Sequence, residues 1–75
     1  MAYEKQLALR IRAFRKLKRL TQTELSEAVS VSIAIIGAVE RGARKVEPAL
    51  IRRIAEALGV DQQELLPPKG DGSNV

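Results

Sequence analysis

The chain has no cysteine and no histidine. Disulfide staples are therefore excluded, and so are the common zinc sites, which draw on those two residue types. The missing thiols fit a reducing, cytoplasmic compartment. No apolar run approaches the roughly 20 residues a membrane span needs, and the opening "MAYEKQLALR" lacks a signal-peptide core. The expectation is a soluble protein with no membrane partner. Enzyme chemistry also loses its usual carriers, since there is no phosphate-cradling glycine loop. Glu24, Glu27 and Glu40 read as cap, surface and salt-bridge residues rather than as a general acid–base pair. No catalytic site, metal or cofactor is expected.

At 75 residues there is room for one small domain. A chain of this size hides only about 60 to 65% of its unfolded surface, so stability has to come from economical helix packing. The net charge of +4 and pI near 10.0 are unevenly distributed, because Arg10, Arg12, Arg15, Lys16, Lys18 and Arg19 fall close together. That cluster favours a polyanionic partner, although basic surface helices also serve solubility.

Leu7, Ile11 and Phe14 recur at helical spacing and predict an amphipathic first helix over residues 4 to about 19. Four further helix starts follow one local rule. Each has an apolar residue before the N-cap and another at the fourth helical position, the pairing called a hydrophobic staple. Leu20-Thr21 opens the second helix with Leu25, and Thr21 with Glu24 forms a capping box. Val31-Ser32 opens the third with Ile36. Val46-Glu47 opens the fourth with Ile51, and Pro48 takes the first helical position, where its missing N–H costs nothing. Val60-Asp61 opens a short fifth with Leu65, with a second capping box through Glu64. Gly42 and Gly59 mark the ends of the third and fourth helices. Pro67-Pro68 stops the last, and residues 67–75 read as a disordered tail after a domain spanning residues 1–66.

Between Gln22 and Arg41 the chain reads helix, three-residue turn, helix: "QTELSEAV", "SVS", "IAIIGAVER". Leu25, Val29, Val31, Ile36 and Val39 face inward if the two helices cross steeply, and the small Ser26 lets them approach closely. With "LTQTELSEAV", "VERG" and "IRRIAEALGVDQQELL" in order and without insertion, the sequence resembles the lambda repressor and Cro-like, or Xre-type, helix-turn-helix family from about residue 7 to 66. The resemblance implies an all-α five-helix bundle and a cytoplasmic transcriptional regulator or repressor that binds operator DNA, commonly as a homodimer. It implies an internal salt bridge between Arg15 and Glu40, and a phosphate contact from Gln22 that also comes within reach of a base edge. The fourth and fifth helices, with Leu65 and Leu66 near the end, are the usual candidate for the dimer surface in this family, but the sequence itself does not fix it. No sensory domain or small-molecule effector is expected.

The sequence departs from the family pattern on the third helix. Positions 33, 34, 37 and 38, typically polar in the family, are Ile33, Ala34, Gly37 and Ala38, which cannot hydrogen-bond to base edges. Apolar contact with thymine methyl groups and DNA shape remain. In the DNA-binding reading, Thr21, Gln22, Arg41, Arg44 and Lys45 contact phosphates, while Ser32, Ile33, Ala34, Gly37 and Ala38 face the groove. In the alternative, the apolar third helix docks on a protein partner, as an antirepressor or assembly component would. Two costly positions stand out: Ser30 in a turn where the family normally has glycine, strained if it takes the left-handed conformation, and Gly37, a weak helix former inside a helix, where it either allows close approach of a surface or is incidental. Leu9, Ala13 and Leu17 form a second apolar strip on the first helix, expected to pack under the N-terminal "MAYEK" segment rather than to meet a second chain.

Overall fold

This computed structural model describes residues 3–67, which contain five helices: α1 Tyr3–Leu17, α2 Gln22–Val29, α3 Ile33–Glu40, α4 Pro48–Leu58 and α5 Gln62–Leu65. No strand occurs among the described residues. The helix-turn-helix consists of α2, the three residues 30–32, and α3.

The first four helices end in one way. Arg19, Ser30, Gly42 and Gly59 all adopt the left-handed conformation, with φ of 61°, 62°, 70° and 71°. The N–H of the next residue then reaches back five positions: Leu20 to the Arg15 carbonyl, Val31 to Ser26, Ala43 to Ala38 and Val60 to Ala55, at 3.0 to 3.1 Å. This is the Schellman closure, which satisfies carbonyls that a helix end leaves free. Gly42 has a second reason to be glycine, because a Cβ there would stand 3.2 Å from the Lys5 Cα at the start of α1.

Leu20, Val31 and Val60 are also the residues that precede the N-caps of α2, α3 and α5. One partly buried apolar side chain thus closes one helix and staples the next. Their staple partners Leu25, Ile36 and Leu65 are fully buried, and Ile51 of α4 is nearly so. With Leu7, Ile11, Val29, Val39, Val46, Ile54, Ala55 and Leu58 they form one continuous core, against which Phe14 packs half-buried.

The structure corrects several expectations. α1 stops at Leu17, earlier than expected, because Arg19 already lies in the left-handed region. The capping box expected at Asp61 and Glu64 does not form. The Glu64 N–H bonds to the backbone carbonyl of Asp61 at 3.0 Å, and the Asp61 side chain makes no cap hydrogen bond. Leu9 and Leu17 are 56% and 70% exposed, Ala13 is exposed and Tyr3 covers none of them deeply, being itself 49% exposed. Packing beneath the described part of the N-terminal segment is thereby overturned. Pro67, assigned above to the tail, is buried; the remainder of that segment, 68–75, lies outside the described residues.

Candidate nucleic-acid interface

Glu40 at the end of α3 organises the polar side of the motif. Its Oε2 accepts from Arg15 Nε at 2.6 Å, and its Oε1 accepts from Arg15 Nη2 at 3.1 Å and from Gln22 Nε2 at 3.1 Å. The remaining Arg15 Nη1 donates to the Leu20 carbonyl at 2.7 Å. Arg15 and Glu40 are both buried, so this is the internal pair the resemblance implied. Such a pair adds little net stability, but it fixes the register of α1, α2 and α3 because either charge alone would be costly. No buried side-chain N or O lacks a partner among the described residues.

The start of α2 is equally defined. Thr21 Oγ1 accepts from the Glu24 N–H at 3.0 Å, and the Thr21 N–H donates to Glu24 Oε1 at 2.8 Å, completing the expected capping box. Gln22, expected on a phosphate, has its amide nitrogen committed to Glu40. Its carbonyl oxygen points instead to the space over Gly37, where a Cβ would lie 4.0 Å away.

On α3, Ser32 Oγ accepts from the Ile35 N–H at 3.3 Å, capping the helix. Ile36 and Val39 enter the core, while Ile33 is 47% exposed, Ala34 is exposed and Ala38 is half-buried. Gly37 is buried despite its outward position, because Arg41 Nη1 lies 3.2 Å from the place its Cβ would occupy. The close approach suspected at Gly37 is made by the chain's own Arg41. Arg41, Arg44 and Lys45 are exposed at and just beyond the end of α3.

Two basic side chains serve the fold in a way the sequence did not reveal. Arg53 of α4 donates to the Val29 carbonyl, tying α4 to the end of α2, and Arg10 Nη1 donates to the Glu64 carbonyl at 3.2 Å, tying α1 to α5. The sequence carries no local signal for either, since the partners lie 24 and 54 positions apart. Of the basic cluster on α1 and its end, Arg10 and Arg15 are thus engaged internally, and Arg12, Lys16, Lys18 and Arg19 are exposed. No helix among the described residues is long and apolar enough to cross a membrane.

Residues 6–67 match the helix-turn-helix domain family. The chain is 45% identical over 60 residues to an uncharacterized HTH-type transcriptional regulator, YazB, of Bacillus subtilis (strain 168), covering 80% of this chain and 87% of that one. Among solved structures it is similar to the clp gene regulator ClgR of Corynebacterium glutamicum, with a TM-score of 0.85 and 31% identity over 87% of this chain and 69% of the other. It is similar as well to the restriction-modification controller protein C.AhdI of Aeromonas hydrophila, with a TM-score of 0.82 and 32% identity over 84% and 96%.

Proposed function

The chain belongs to the Xre-type helix-turn-helix family of DNA-binding transcriptional regulators, and on that premise we propose that it binds operator DNA as a homodimer, gaining affinity chiefly from phosphates. One observation carries this reading. The exposed side of α3 has only Ile33, Ala34 and half-buried Ala38 beside Ser32, while exposed Arg41, Arg44 and Lys45 stand at and beyond its C-terminal end, where Gln22 at the N-terminus of α2 also meets it through Glu40 and over Gly37. Cations and a helix N-terminus suit phosphate oxygens, and Ile33 and Ala34 suit thymine methyl groups.

A dimer of this motif class engages two half-sites about 34 Å apart, so the operator is expected to be a near-palindrome with half-sites one helical turn apart. The relatives named as gene regulators and as a controller protein support gene control in the cytoplasm as the setting. Docking of α3 on another protein would leave Arg41, Arg44 and Lys45 without a use.

A binding selection from random duplex DNA, followed by salt titration of the selected sequence, tests the proposal. The expected result is a steep fall of log affinity with log salt, about 0.9 per neutralised phosphate. Equally weak binding to every duplex, without enrichment, would favour the protein-partner reading.

A further inference from the structure

Gly37 lies on the outward side of α3, yet it is buried, and the atoms over it come from Arg41 and Gln22. A Cβ built there would stand 3.2 Å from Arg41 Nη1 and 4.0 Å from Gln22 Oε1. Side chains on a helix lean toward its N-terminus, so a long residue four positions later covers this spot. With only hydrogen at position 37, the guanidinium rests against the helix itself rather than extending past its end. The rest of this face, Ile33, Ala34 and Ala38, offers no hydrogen bond to a base.

The Gln22 amide sets the polarity of the same spot. Its Nε2 is held by Glu40 Oε1 at 3.1 Å, which leaves Oε1, an acceptor, turned toward the place where the guanidinium rests. A guanidinium has five N–H donors, so a neighbouring acceptor can steady it and leave a two-pronged edge free. That edge matches guanine, whose O6 and N7 accept a bidentate arginine in the major groove.

Resting on the DNA-binding reading above, we propose that Arg41 is the base-reading residue of this protein: Gly37 seats its guanidinium on the groove side of α3, where it selects a guanine. This moves Arg41 from the phosphate-contacting set to the specificity-determining position. A helix that looks unable to read polar base edges thereby borrows a reader from beyond its own last residue.

Selection from random duplex DNA with the full chain and with Arg41→Lys, Arg41→Ala and Gly37→Leu tests this, with thermal melting to verify that each variant is folded. The unaltered protein should prefer guanine at one position per half-site by about tenfold to a hundredfold. Arg41→Lys keeps the charge but lacks the fork, so that preference should fall to about threefold or less while the salt slope is retained. Gly37→Leu, a good helix former whose side chain fills the seat, should do the same with Arg41 intact. The proposal is overturned if Arg41→Lys behaves as the unaltered protein and Arg41→Ala weakens all duplexes alike, the pattern of a phosphate contact. Failure of the unaltered protein to enrich any duplex would instead overturn the DNA-binding reading, and this assignment with it.

Discussion

The Arg15 guanidinium and the Glu40 carboxylate meet edge to edge, Nε to Oε2 at 2.6 Å and Nη2 to Oε1 at 3.1 Å, although 25 positions separate them in the chain. Glu40→Ala leaves Arg15 buried without its partner and removes the acceptor for Gln22. A loss of about 3 to 5 kcal/mol is expected, comparable with the whole stability of a domain this small. Arg15→Met combined with Glu40→Leu should recover most of it, because an apolar pair needs no compensating charge. Urea unfolding of both variants checks this; a double variant no more stable than Glu40→Ala would show that the pair itself is indispensable.

Ser30→Gly is expected to stabilise the domain. The left-handed conformation costs a non-glycine residue about 1 to 2 kcal/mol, and glycine's greater unfolded-state freedom returns about 0.5 to 1 kcal/mol of that gain. The net is about 0.5 to 1 kcal/mol, a rise of several degrees in the melting temperature at roughly 4 to 8 °C per kcal/mol. Thermal melting reads it directly. A lower melting temperature would mean that the Ser30 side chain contributes more than its strain costs.

Ile33→Gln should leave stability within about 0.5 kcal/mol, because the side chain is half exposed and outside the core. On DNA it should add a preference for adenine at one position, since a glutamine can bond to adenine N6 and N7 together. The two readouts are a melt and a repeat of the duplex selection. Unfolding would contradict the register of α3, and an unchanged preference would remove Ile33 from the groove.

Arg44→Ala with Lys45→Ala should weaken binding to all duplexes alike and lower the salt slope by about 1.8, at about 0.9 per phosphate contact. Affinities measured at two or more salt concentrations on selected and unrelated duplexes test this. A loss confined to one base pair would assign these residues to base readout instead.

The parts of this fold that are legible in the sequence are those governed by neighbours in the chain. The Thr21–Glu24 box, the staples of Leu20, Val31 and Val60, and the glycines at 42 and 59 all act within a turn or two, so residue type and spacing reveal them. Arg19 escaped notice because a left-handed arginine has no compositional marker. Asp61 misled because its local pattern suits a cap, yet its side chain makes no cap hydrogen bond and the Glu64 N–H goes to the Asp61 backbone carbonyl. On the site, the absence of polar residues at 33, 34, 37 and 38 was plain, but its complement was not. That Arg41 folds back over Gly37, and that Gln22 turns its oxygen there, depends on how α2 and α3 cross, which no local pattern records.

The residues shared between successive helices also determine where this chain tolerates change in length. Leu20, Val31 and Val60 each belong to the end of one helix and the beginning of the next, so an added residue at any of these joints would disturb both at once. The passage from α3 to α4 is different: after Gly42 and Ala43 close α3, Arg44 and Lys45 are exposed and free of either helix before Val46 re-enters the core. Only there does the connection have slack, and it falls beside the proposed DNA surface. Extra residues at that point would lengthen the reach of the basic loop and leave the packing beneath it in place.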